Sequence, residues 1–433
     1  MLLLLRFSVP MMLTNVLMVL YTFADSVIVG RVLGVEAFAA VGATGMLYFM
    51  VFSIMLGLGH GFGIVLAQRF GAKDMDGVRS AFVTGNWLVA VIGIITGIVG
   101  VFCSGLFLEW LDTPKELMPE ATVYMAWLLG GMYVTFLNLF IGGTTRALGD
   151  SRTPLIAMIV SSAVNIALNL ALVVPFGVAG IAFATLFAQL VSAVHCYIVL
   201  RRSGVLRGDG LNWHTPTALK LLRLGLPMGF RNAVIQGGGV VVQWFVNGYQ
   251  DIALIAGISI AKRMYSLILV AGNAFEAAAG TFVAQNFGAG KIERLKKGFA
   301  VSRWLMLGAA GIMMALIVPL ARVIIGLFFD GDPAIVAATL DYGSYQLIIM
   351  SVGLPLLHML VLHRSALEGV GKPLIPVISG FVELVFRIGS IFLLTPLFGV
   401  FGVLLSDAAG WVGAVALLII SYIIVIGKLE KEG

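Results

Sequence analysis

Apolar runs of twenty residues or more follow one another along the whole 433-residue chain, broken by short polar turns, and strand-like alternation of apolar and polar positions is absent. Each run is long enough to cross roughly 30 Å of hydrocarbon as a helix, and only a helix or a closed barrel satisfies its own backbone there. The pattern predicts about twelve spans, at roughly 7–31, 37–62, 80–108, 118–146, 153–174, 178–202, 218–247, 252–281, 296–328, 334–362, 373–395 and 399–427. The expected fold is therefore an all-α membrane protein.

The pattern is also duplicated. Arg6, Pro10 and AQRFGA (67–72) reappear 217 positions later as Arg223, Pro227 and AQNFGA (284–289), with AFAAVG (37–42) matching LIAGIS (254–259) in the same register. RALGDSRTPLI (146–156) matches SALEGVGKPLI (365–375), and PFGVAG (175–180) matches PLFGVFG (396–402) with a few inserted residues. A duplicated half-protein of six spans is the unit of architecture. Two pseudo-symmetric six-helix bundles are expected, at 1–205 and 218–433, joined by a polar cytoplasmic linker at 206–217.

Composition agrees with lipid as the main solvent: 60% of residues are hydrophobic, 11% are charged, and the mean hydropathy is +1.05. Net charge is +6, and its placement orients the chain. Arg69, Lys73, Arg79, Arg146, Arg152, Arg201, Arg202, Arg207, Lys291, Arg294, Lys296, Lys297, Arg364 and Lys372 fall after even-numbered spans, whereas Glu109, Asp112, Glu116, Asp251, Asp330 and Asp332 fall on the opposite side. The positive-inside rule then puts both termini in the cytoplasm of an inner-membrane protein. The basic loops are short and lack interleaved aromatics, which argues against a nucleic-acid partner. Cys103 and Cys196 both lie in predicted spans and read as small hydrophobes.

Polar groups inside the spans are the functional candidates, because burying an ionisable side chain in a bilayer is expensive. Asp25 lies in LYTFADSVIVG with no cation within a helical turn. At the same depth fall Asn165 and Asn169, four apart on one helical face, and Thr185. One carboxylate among neutral oxygens suits a sodium ion, and the same carboxylate could carry a proton instead. In the second half, Glu383, Arg387, Asp407, Lys262 and Arg263 share a depth and suggest a structural charge network. Glu276 has no obvious partner; with Met50 and Tyr21 it is a candidate lining for a substrate cavity. The histidines show no metal-ligand spacing, and P-loop and nucleophile-elbow motifs are absent, so neither an enzyme nor a cofactor is expected.

LYTFADSVIVGRVLGVEAFAAVG, LAQRFGAKD, NLFIGGTTRALGDSRTPL, NIALNLALVVPFGVAGIAFAT and FVAQNFGAGK, in this order, resemble the multidrug and toxic compound extrusion (MATE) transporters, particularly the bacterial branch. The likeness covers essentially the whole chain. It implies two six-helix lobes around a central cleft that alternately opens to each side, exporting organic cations against inward sodium or protons, with no obligatory protein partner. It also implies cation-binding roles for Asp25, Asn138, Asn165 and Thr185. Two departures stand out: Asn169 occupies a position where many relatives carry Asp, and Glu276 one where relatives often carry Gln. A flippase for lipid-linked precursors is the alternative, and it would need a strongly cationic cavity; a membrane-embedded transferase would need acidic metal-binding motifs, which the chain lacks.

Overall fold

The computed structural model describes residues 2–111, 113–206, 213–328 and 333–432. Arg207, Asp112, Asp330, Asp332 and half of the expected linker, 207–212, lie outside the described residues. Every regular element among the described residues is an α-helix: α1 (Leu2–Val32), α2 (Val35–Gly71), α3 (Met75–Trp110), α4 (Met118–Gly130), α5 (Met132–Ala147), α6 (Arg152–Arg202), α7 (Thr215–Gly248), α8 (Ile252–Gly288), α9 (Ile292–Gly326), α10 (Pro333–Val352), α11 (Leu354–Gly369), α12 (Leu374–Phe398), α13 (Val400–Leu404) and α14 (Ser406–Glu432). The twelve predicted spans all map onto these helices, and the chain is a multi-pass all-α membrane protein.

The helix boundaries differ from the predicted spans at four places, one of them Leu405, which divides the predicted span 399–427 into α13 and α14. The predicted span 118–146 is two helices, α4 and α5, meeting at a 44° bend beside Gly131. Spans 153–174 and 178–202 run together as α6, whose only non-helical residue is Gly177 (φ 57°, ψ −139°). Its counterpart Gly399 ends α12 with nearly the same angles (φ 57°, ψ −134°), each glycine following a proline at Pro175 or Pro396. Side chains other than hydrogen are excluded from that region of backbone space, so the repeat keeps glycine at both bends. The predicted span 334–362 is α10 and α11, and α11 runs on to Gly369. Arg364, expected in a cytoplasmic loop, is therefore buried inside a helix. The reason is pairing: its charge is met by acids of the interior, described below, so it does not mark a helix end.

Tertiary packing divides the chain into two compact units, one comprising Leu5–Phe230 and the other built on Arg231–Gly433. The division falls inside α7. In the first unit the early turns of α7 cross α2 with backbone on backbone: a Cβ on Gly57 would sit 2.6 Å from the Met228 carbonyl oxygen, and one on Gly61 would sit 2.5 Å from the Gly225 Cα. Gly57 and Gly61 are four apart, as are Gly225 and Gly229, the small-xxx-small spacing that lets helices meet closely where lipid gives no hydrophobic drive. α3 begins on a side-chain cap, Asp74 Oδ1 accepting from the Gly77 amide at 2.8 Å. That backbone hydrogen bond, and Arg69 beside it, hold the Asp74 carboxyl below its usual range. In the second unit Ala261, Tyr265, Leu347, Leu354, Trp411 and Leu418 bring α8, α10, α11 and α14 into one core.

α1 is the least enclosed helix of its unit. Leu20 and Phe23 are 56% and 61% exposed, and lipid is their natural solvent. Its firm apolar anchor is Val29 near its end, packed with Ala37 of α2 and with Val173, Val178 and Ile181 of α6.

A Cβ at Gly177 or Gly399 meets no atom within 4 Å, so replacement by alanine tests backbone strain alone. Gly177→Ala and Gly399→Ala are each expected to lose about 1–3 kcal/mol of stability. Gly105→Ala, equally open but within the helical body of α3, should lose none. Unfolding of the detergent-solubilised variants measures both.

Candidate functional site

Asp25 is brought to the middle of a polar layer by the turn of α1 that faces α6. Asn169 Nδ2 donates to Asp25 Oδ1 in a short hydrogen bond, and it also donates to Asn165 Oδ1 at 3.2 Å. The two asparagines are fully buried, one turn apart on α6. Among the described residues no lysine or arginine lies within ion-pair distance of Asp25. Its carboxylate is met by an amide and not by a fixed cation. Two buried atoms of the asparagine pair lack hydrogen-bond partners, Asn165 Nδ2 and Asn169 Oδ1. A buried polar atom left unpaired is costly, so a site with one spare donor and one spare acceptor is built to take something more.

Phenols and a second hydrogen-bonded group enclose the carboxylate. Tyr21 of α1 and Tyr124 of α4 are close enough to interact electrostatically with Asp25. Tyr48 of α2 adjoins both phenols and bonds to Thr135 of α5 and Gln189 of α6, while Thr135 Oγ1 donates to Gln189 Oε1 at 2.7 Å. Thr185 and Asn138 are partly buried and make no hydrogen bond among the described residues, so the connected set is Asp25, Asn169 and Asn165. Tyr21 belongs to this layer, and Met50 is 40% exposed on α2.

The second unit contains a different arrangement, in which arginines meet acids directly. Glu383 of α12 accepts from Arg387 Nη2 at 2.6 Å, one turn along the same helix, and from Arg364 Nη2 of α11 at 2.8 Å. Arg387 Nε lies 3.1 Å from Asp407 of α14, and Arg364 Nε donates to Ser379 at 2.9 Å. A separate buried pair joins Arg231 of α7 to Glu368 of α11. Glu383, Arg387 and Asp407 are thus in one chain of ion pairs. Lys262 and Arg263, expected with them, form no ion pair among the described residues; Lys262 is partly buried and Arg263 exposed. Glu276, partly buried on α8, lies within electrostatic reach of Arg231, Glu368 and Arg364 and is the acid left over once these pairs are drawn.

The MatE family model matches residues 10–171 and again 227–393, well over half of the chain and once per repeat. The chain belongs to the MATE family. MATE proteins are membrane transporters and not enzymes. The chain is 28% identical over 402 residues to the probable multidrug resistance protein YoeA of Bacillus subtilis, covering 87% of each chain. It is 31% identical over 296 residues to YpnP of the same organism, also named a probable multidrug resistance protein, covering 67% of this chain and 65% of the relative. A solved structure described as an outward-facing multidrug resistance MATE family transporter superposes with a TM-score of 0.91 at 22% identity, covering 99% of this chain and 96% of that one.

Participants that the sequence of this MATE protein did not single out include Arg231, Glu368, Gln189, Tyr48, Tyr124 and Thr135, and Arg364 was read only as a loop cation. Arg231 and Gln189 were readable as polar residues inside predicted spans. Arg364 and Glu368 carry the same four-residue spacing that exposed Glu383 and Arg387, but the predicted span stopped at 362 and left them outside it.

Breaking a buried pair leaves an uncompensated charge, which costs far more than the net worth of the pair. Glu383→Gln strands Arg364 and Arg387 and should lower unfolding stability by about 3–5 kcal/mol. Lys262→Gln should leave it unchanged. Thermal unfolding in detergent checks the contrast.

Proposed function

We propose that this MATE protein is a secondary active exporter of organic cations from the inner membrane, driven by inward movement of a single monovalent cation bound at Asp25. What carries the reading is a carboxylate at membrane depth whose partners are an amide and phenols, with a spare buried acceptor, Asn169 Oδ1, one atom group away. A fixed arginine would compensate Asp25 permanently, as happens at Glu383; an amide leaves that role to a mobile cation. Sodium would be held by Asp25 with the side-chain oxygens of Asn169 and Asn165 turned toward it, and a proton would be held by Asp25 itself.

Coupling follows if the two charge states of Asp25 favour different conformations. α1 is suited to respond: it is largely lipid-exposed, and its polar tie to α6 is the Asp25–Asn169 bond. Loading the site changes that bond and so shifts the position of α1, which alternates access to the substrate path. The names of the relatives support drug-like substrates, and the unpaired acid Glu276 supports a positive charge on them. The basic loops support cytoplasmic termini. The flippase alternative loses its basis, because each buried arginine of the network (Arg231, Arg364 and Arg387) is already paired with a carboxylate and offers no free cationic surface to a pyrophosphate.

In vesicles given a sodium gradient and a proton gradient separately, one of the two should drive efflux of a fluorescent organic cation. Asp25→Asn should abolish that driven efflux while the protein still inserts and folds. Undiminished efflux by Asp25→Asn would end the coupling proposal.

A further inference from the structure

The hydrogen-bond directions around Asp25 contain more than a binding site. An ionised carboxylate only accepts, so the amide facing it must present nitrogen, and Asn169 does. Having turned its nitrogen inward, Asn169 also donates to Asn165 Oδ1, which fixes the second amide in the matching sense. The leftover atoms follow from that choice: an acceptor at Asn169 and a donor at Asn165, both buried and unpartnered. Neutralising Asp25 reverses the logic. A protonated carboxyl donates, and a bound sodium ion also seeks oxygen. The protonated carboxyl keeps an acceptor oxygen, but an Asn169 oxygen turned inward meets the new O–H or the sodium ion with one lone pair and accepts a nitrogen of Asn165 with the other. Both amides then invert together, and the leftover atoms become a donor at Asn169 and an acceptor at Asn165.

We propose that Asn169 and Asn165 form a two-amide relay that converts the charge state of Asp25 into a reversal of hydrogen-bond direction along α6, and that Asn169 restricts the site to one charge per cycle. This rests on the coupling role of Asp25 given above. The restriction comes from the same residue as the relay. Asp25 accepts from the Asn169 amide, with the phenols of Tyr21 on its own helix and Tyr124 on α4 in electrostatic reach, and no lysine or arginine lies in ion-pair range among the described residues. One negative charge makes a neutral complex with one monovalent cation. An acid at position 169 would admit a second cation and could not act as an amide, so both halves of the proposal fail or stand on one side chain.

Infrared difference spectra of the reconstituted protein, carrying asparagine labelled with ¹⁵N in the side chain, test the relay. One arm lowers the pH without sodium, and the other adds sodium at fixed pH, so the arm that responds names the cation. The expected result is a change at the Asp25 carboxyl accompanied by ¹⁵N-sensitive amide bands, with the amide bands missing in Asn169→Leu and all of them missing in Asp25→Asn. A carboxyl change with no ¹⁵N-sensitive companion overturns the relay while leaving coupling intact; no Asp25 signal in either arm overturns both. For the charge restriction, the dependence of driven efflux on the coupling cation, read far below saturation, should have a limiting logarithmic slope of about one in the wild type and about two in Asn169→Asp, each acid adding its own binding step. An unchanged slope in Asn169→Asp contradicts the restriction. Should that variant fail to fold, the charge moved per substrate by the wild type decides the point, one charge supporting the restriction and two refuting it.

Discussion

A charge inside hydrocarbon has to be compensated by groups within touching distance, because no solvent is there to do it. Everything distinctive in this molecule follows from how that demand is met. In the second unit, acids and arginines meet directly: Arg231 with Glu368, and Arg364, Glu383, Arg387 and Asp407 in one chain. These contacts are closed, and their charges have nowhere to go. In the first unit the acid meets an amide, and the amide leaves two of the pair's polar atoms without partners. A closed set holds one arrangement, whereas an open set leaves polar atoms free for a further partner.

The fold serves this difference by placing rigidity and looseness in different elements. α2 and the start of α7 press their glycines together so closely that no methyl group fits between them. The layer around Asp25 is backed by the Tyr48–Thr135–Gln189 set, whose members bond to one another across three helices. Against that firm wall α1 is largely exposed, with Val29 packed near its end and the bond to Asn169 one turn before it. So open a helix, tied to α6 through a charge-sensitive bond, is the element that a change of charge moves most easily.

Much of this was legible in the sequence because lipid makes hydrophobic length an almost direct readout of helices. The repeat was equally plain, since Gly177 and Gly399 need the same backbone angles and so the same short motif. Asp25, Asn165 and Asn169 stood out as polar residues at one depth. What the sequence could not convey was direction. Thr185, expected at the depth of Asp25, takes no part in its hydrogen bonds, and Lys262 and Arg263, expected at the depth of Asp407, form no ion pair with it among the described residues. Depth along a helix is a one-dimensional quantity, and partnership needs the azimuth as well. Arg364 failed for the opposite reason: a paired arginine inside a helix looks, residue by residue, like the basic end of one.

The pairing of Glu383 with Arg387 has a consequence for how the protein is made. Both residues sit on one helix a single turn apart, so their charges cancel as soon as that helix winds, before any neighbour exists. The segment can therefore leave the translocon for the bilayer as a nearly neutral rod. Arg231 has its acid on a distant helix that is synthesised more than a hundred residues later. Until α11 is made, the acid within reach of Arg231 is Glu276 of α8, so the pairing of that arginine is completed in two stages, whereas α12 carries its own compensation from the start.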